Sequence, residues 1–277
     1  MDLRRLLFVT TITTALTALV GVLTATSGAG LTCEARWPLC DGAVFGLFPA
    51  NFMSFIEWSH RLVAMITGFL IIGSTIAAWR GSHPRRVRFA TLAALVITPV
   101  QIVFGAFTVL VHELVFGYSI VVLTLHFGFA ATILGLLVAA TVWAYAEASP
   151  VSLDRIQQAG GLALLGYPVM VALTPRLFVT FGEVAQFVYY GLGFAVFAAL
   201  VAVALWGREL AARGVSLAGG TAALAVISQL IIARQAFGSR GQLLILALSF
   251  AAFGLTLGAV SRSRSLDASP NRAVAGE

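Results

Sequence analysis

The sequence predicts an all-α integral membrane protein of eight transmembrane helices, arranged as two pseudo-symmetric four-helix bundles. Three observations predict it. The chain of 277 residues is 60% hydrophobic and only 10% charged, with a mean hydropathy of +0.98, whereas a soluble domain carries roughly 25% charged residues. Apolar runs long enough to cross a ~30 Å hydrocarbon core, about 20 residues each, recur eight times along the chain. The last four runs also repeat features of the first four in the same order.

The runs lie at roughly 5–27, 54–79, 89–111, 118–145, 158–175, 184–206, 217–236 and 241–260. The first follows Arg4 and Arg5 and ends in small residues, Ala25 to Gly28, as a signal peptide would. Its apolar core is longer than a signal-peptide core, so it reads as an uncleaved span. The second opens at FIEWSHR, and the third follows the basic connection GSHPRRVR. The fourth carries VVLTLHFGFAATILGLL, and the remaining four form a second set that ends before a polar tail. The organisation expected is an N-terminal four-helix unit at 1–148, a C-terminal one at 149–262, and a disordered cytoplasmic tail at 263–277.

All 17 basic residues are arginine, and the formal charge is +6. No basic patch interleaved with exposed aromatics is present, which excludes nucleic acid as a partner. The arginines set the orientation instead, because cytoplasmic loops are enriched in positive charge. With the N-terminus inside, twelve of them (4, 5, 80, 85, 86, 88, 155, 208, 213, 262, 264 and 272) lie on the cytoplasmic side. Five (36, 61, 176, 234 and 240) lie outside or at the outer edge. Both termini are therefore expected in the cytoplasm of a multi-pass protein of the cell membrane, with the 28–53 loop outside.

That loop holds both cysteines of the chain, Cys33 and Cys40, in CEARWPLC. An oxidising exterior favours a disulfide. A structural staple and a redox-active or haem-handling pair are both compatible with the spacing, whereas metal binding by two thiols without a nearby histidine is disfavoured.

Ionisable groups inside spans are costly and point to function. Glu57 and His60 are three residues apart, on one helix face. His126 is the other histidine within a span. It lies ~12 Å from the outer end of the fourth run at 1.5 Å per residue, and His60 sits at a comparable depth in the second. Two imidazoles at matched depth on antiparallel helices suit the two faces of a haem, and Gly68, Gly105, Gly128, Ala130 and Ala131 would let the helices part around a flat group. A core role for each histidine, hydrogen-bonded within the bundle, is the alternative. His83 falls in the basic connection and reads as solvated, and His112 with Glu113 reads as interfacial. A carboxyl in apolar surroundings tends toward its neutral form, so Glu57 could donate a proton or stabilise a cationic carbon beside the iron. Arg61 could pair with a haem propionate or snorkel to the interface.

The repeat sets Tyr189 opposite His60, Tyr190 opposite Arg61, Gln229 opposite Gln101 and Ser249 opposite His126, at offsets of 129, 129, 128 and 123. No histidine follows His126. The second half is therefore expected to share the design of the first without its ligands.

The cysteine loop ending in WPLC, the EWSHR motif, the QIVFGAFTVL stretch and the histidine of the fourth run together resemble the haem A synthase family of cytochrome oxidase assembly proteins, most closely over residues 5–145. The resemblance implies an eight-helix bundle that oxidises the C8 methyl of haem O to the formyl of haem A by successive hydroxylations. It implies His60 and His126 as axial ligands of the substrate haem, Glu57 as the residue required for activity, and a Cys33–Cys40 disulfide near the site. The partners implied are haem O, the haem O synthase that makes it and an electron donor, within the lipid bilayer; a homo-oligomer is compatible with the pattern. Family members hold a haem b in the second half through two further histidines. Tyr189 and Ser249 stand there instead, so a second haem b is not expected. Two other readings stand beside the enzyme: a non-catalytic haem carrier or oxidase assembly factor, and a thiol-disulfide membrane oxidoreductase. The last leaves Glu57, His60 and His126 unexplained and lacks a C-x-x-C pair.

Overall fold

The computed structural model describes residues 2–33, 40, 42–44, 48–49, 51–110, 120–234 and 238–268. Eight α-helices follow one another in the described residues: α1 (Leu3–Thr26), α2 (Phe52–Arg80), α3 (Arg85–Leu110), α4 (Ile120–Ala146), α5 (Leu153–Ala172), α6 (Glu183–Glu209), α7 (Arg213–Arg234) and α8 (Gly238–Asp267). A helix pairs its backbone groups within the segment, as a span in hydrocarbon must, apart from the bonds lost at Pro99 in α3 and Pro168 in α5. All but α5 are long and apolar enough to cross a membrane, and the chain is a multi-pass membrane protein. Between α1 and α2 lie a 3-10 turn (Ala29–Leu31) and a small antiparallel ribbon of β1 (Gly42–Val44) and β2 (Phe48–Pro49). This ribbon was not foreseen from the sequence.

Two helices depart from the apolar runs. Helix α5 starts at Leu153, before the run at 158, because the Ser152 hydroxyl accepts from the Arg155 N–H at 3.4 Å and caps it. Its first turn takes in Asp154 and Arg155, which dilutes its hydropathy. Helix α8 continues to Asp267, through the first residues of the segment expected as a tail. The Ser263 and Ser265 hydroxyls donate back to the carbonyls of Val260 and Arg262 at 2.7 and 2.9 Å, and Arg264 sits in the last turn, where a cation complements the helix dipole. Residues 269–277, together with Arg36, His112 and Glu113, lie outside the described residues.

The chain divides into two compact units, Met1–Ala144 with Phe181–Gly191, and Tyr145–Thr180 with Leu192–Glu277. In this division the first turns of α6 group with the N-terminal helices. Contacts within that unit account for this. A Cβ on Gly191 would lie 3.4 Å from the Leu19 side chain of α1, and the Tyr190 ring meets Phe127 of α4 with centroids 5.7 Å apart.

In the first unit α1 packs on α2 and α2 on α3. One core cluster joins Leu3, Leu7, Ala78, Val87, Ala90, Ala140 and Ala144, and a second joins Ile71, Ala94, Ile133 and Leu137. Lipid removes much of the hydrophobic drive between helices, so small side chains and interhelical hydrogen bonds carry more of the packing. Helix α1 supplies both. Its Thr10, Thr11 and Thr17 hydroxyls bond across to Ser74, Thr141 and Thr67 at 2.9, 2.9 and 2.8 Å.

In the second unit α7 and α5 pack on α8. Leu153, Ile156, Val203, Ala212, Val215 and Ala259 form its core cluster. The backbones of α6 and α7 approach at Gly219, where a Cβ would lie 2.9 Å from the Ala204 nitrogen.

Candidate functional site

The start of α2 is fixed by Asn51, whose side chain accepts from the Ser54 N–H at 2.8 Å. The first turns then bury Ser54, Ile56 and Glu57. Glu57 is only 3% exposed, yet its carboxylate is fully engaged. Oε2 accepts from the Cys33 N–H at 2.7 Å and the Thr32 hydroxyl at 3.1 Å, and Oε1 pairs with the Arg61 guanidinium one turn along. Three donors, one of them a guanidinium, thus face the buried carboxylate. Arg61, expected to reach a haem propionate or the interface, has its guanidinium on Glu57.

Cys33 and Cys40 form the disulfide. Both are buried, with their sulfurs 3.6 and 3.9 Å from the Ser54 carbonyl oxygen. The disulfide holds Thr32 and Cys33 where they meet Glu57. Thiol exchange needs an accessible sulfur, so this burial favours the staple over the redox-active pair.

One turn further along α2, the His60 ring lies against α1. A Cβ on Gly21 would lie 2.8 Å from its Cε1, so only glycine leaves room for the ring in this position. The ring hydrogen-bonds to the Thr17 backbone, and among the described residues its Nδ1 has no hydrogen-bond partner. A ring that spends one nitrogen on a backbone carbonyl keeps a lone pair on the other, the usual arrangement of a histidine ligand.

His126 on α4 repeats the pattern. Gly105 of α3 backs its ring, with a hypothetical Cβ 3.2 Å from Cε1, and the Gln101 amide nitrogen approaches Nε2 at 3.4 Å. Both histidines are half-buried. Phe104 of α3 and Phe129 of α4 pack ring to ring, centroids 5.3 Å apart, between the same two helices. Two imidazoles on separate helices, each seated against a glycine, with Glu57 one turn from His60, form the candidate site.

The counterparts in the second unit are arranged differently. The Ser249 hydroxyl lies 2.6 Å from Gln229 Oε1 and 2.8 Å from the Ile245 carbonyl oxygen. Gln229 Nε2 faces the Met170 sulfur at 3.9 Å, and all three side chains are buried. Tyr189, the counterpart of His60, belongs to the N-terminal unit.

Sequence reasoning missed Gly21, Thr17 and Thr32. A glycine inside the helix-forming run TALVGVLTA was the available signal, since glycine in a helix costs about 1 kcal/mol unless something needs the space. His83 stands in the α2–α3 connection, about 30 Å along α2 from His60 at 1.5 Å per residue, away from the site.

Residues 4–182 match the family described as cytochrome oxidase assembly protein (COX15-CtaA). Heme A synthase of Shouchella clausii is 34% identical over 172 residues, 62% of this chain and 54% of the relative. Heme A synthase of Bacillus licheniformis is 35% identical over 127 residues, 46% and 40% of the two chains. Protoheme IX farnesyltransferase of Halobacterium salinarum is 39% identical over 89 residues, 32% of this chain and 20% of that one. The matches span about half or less of the length of these relatives.

Proposed function

Given that the chain belongs to the cytochrome oxidase assembly protein family that includes the haem A synthases, we propose that it is a membrane oxidoreductase converting the C8 methyl of haem O to the formyl of haem A. The observation that carries this reading is the layer of His60 and His126, each ring seated against a glycine and tied by a polar neighbour. In this reading the two imidazoles hold the iron of the substrate from opposite faces, and their glycine seats and hydrogen bonds fix the ring orientations.

Glu57 stands one turn outward. Its charge, held in place by Thr32, Cys33 and Arg61, stabilises positive charge developing on the methyl carbon. Each hydroxylation places one atom of O2 in a C–H bond of the methyl and releases the other as water, consuming two electrons from an external donor and two protons; the second hydroxylation gives a geminal diol, whose loss of water leaves the formyl. A guanidinium suits carboxylates, so Arg61, paired with Glu57, is the residue of this site that would meet a propionate.

The arginine distribution supports the cell membrane as location, with both termini cytoplasmic and the disulfide loop outside. The similarity to a stretch of a protohaem farnesyltransferase supports the enzyme that makes haem O as a partner, handing its product on within the bilayer.

A second reading, a haem carrier or assembly factor without turnover, draws on the closed polar layer of the C-terminal unit. There Ser249 bonds Gln229 at the position where the repeat sets it opposite His126. Expression with a source of haem O, followed by pigment extraction, separates the two. Formylated haem establishes the enzyme, and retained but unmodified haem O establishes the carrier.

A further inference from the structure

Tyr189 carries an observation that the ligand pair does not use. Its side chain is completely buried, and among the described residues its hydroxyl has no hydrogen-bond partner. Burying a hydroxyl without a partner is destabilising. Phenylalanine would pack the same ring without that penalty, so packing alone does not explain the oxygen.

The surroundings place this hydroxyl in the haem unit. The Tyr189 ring stands edge-on to Phe181 and to Tyr190, centroids 5.5 Å apart in each case. Tyr190 stands edge-on to Phe127, the residue after His126. The next residue, Gly191, backs onto Leu19, two positions before the glycine that seats His60. The opening turns of α6 are therefore held by α1 and α4 beside the residues that position both imidazoles. A rigid aromatic row fixes the Tyr189 ring, which leaves its O–H as an oriented donor.

We propose that Tyr189 recognises the bound haem by donating a hydrogen bond to an oxygen on its periphery. The proposal rests on the reading of His60 and His126 as haem ligands. A haem O offers such oxygens in its propionate carboxylates and in the alcohol of its hydroxyfarnesyl chain. Tyr189 is then a substrate-recognition residue, taking no part in iron ligation.

The test titrates detergent-solubilised full-length chain, wild type and Tyr189→Phe, with haem O and with haem B, following the Soret band. Haem B carries the propionates and lacks the hydroxyfarnesyl alcohol. Tyr189→Phe is expected to weaken haem O binding about tenfold, equivalent to about 1.4 kcal/mol, and to raise the melting temperature of the haem-free chain by about 2–4 °C. An equal loss for both haems identifies a propionate as the acceptor, and a loss for haem O alone identifies the alcohol. Unchanged affinity for both haems overturns the proposal, whatever the melting temperature does. If the wild type binds neither haem, the ligand reading fails first and this proposal falls with it.

Discussion

The two units solve the same helical layer in opposite ways. In the N-terminal unit Gln101 on α3 approaches the imidazole of His126 on α4 at 3.4 Å, and Gly21 and Gly105 make room for histidine rings. In the C-terminal unit Gln229 on α7 receives Ser249 of α8 at 2.6 Å. There, room is made for aliphatic side chains, as at Gly193, where a Cβ would lie 2.6 Å from Leu230. The glutamine is common to both; what it faces differs. A serine short enough to bond the glutamine directly closes the layer, whereas in the first unit the glutamine faces an imidazole.

The largest effect that can break this comparison is loss of the ligands. His60→Ala or His126→Ala should abolish haem retention by the purified chain, read from the absorption spectrum and extracted pigment. Replacing Gln229 and Ser249 together by alanine should leave it unchanged. A full haem complement in either histidine variant removes the basis of the contrast.

Glu57→Gln sharpens the assignment of roles inside the first unit. The amide keeps the reach of the carboxylate but loses its charge and its ion pair with Arg61. Haem should remain bound while formyl-haem production falls by ~100-fold, with a hydroxylated haem accumulating. Unchanged production would leave Glu57 as a strut between the disulfide loop and α2.

The glycine seats come next. Gly21→Ala places a methyl 2.8 Å from His60 Cε1, and Gly105→Ala places one 3.2 Å from that of His126. The first should weaken haem binding by about tenfold, in the range seen when groups that orient a ligand are disturbed, and the second by less. Equal affinity in all three proteins would mean that the rings settle elsewhere once haem is bound.

The smallest effect is expected from a histidine placed in the closed layer. Ser249→His should gain no haem and should cost about 1–3 kcal/mol through overpacking, read from haem-to-chain ratio and denaturation midpoint. A second haem per chain would show that this layer differs from the first only by its side chain.

Much of the fold was legible because apolar runs and their lengths are local properties. Glu57, His60 and His126 were legible for a related reason: an ionisable residue in such a run stands out against its neighbours. The ends of α5 and α8 were less so. Ser152, Ser263 and Ser265 extend helices through side-chain hydrogen bonds that hydropathy does not register.

The sequence by itself determined a multi-pass helical membrane protein and singled out its candidate ligands, because a bilayer demands long apolar helices and makes every buried charge conspicuous. Only the tertiary structure decided what those residues bond to. The partner of Glu57 is a backbone N–H 24 residues earlier, and the partner of Ser249 is a glutamine 20 residues before it. The opening turns of α6 join the first unit through rings and a glycine that touch α4 and α1. Such pairings arise when helices distant in the chain are brought within a few ångströms, and no periodicity within a single helix encodes them.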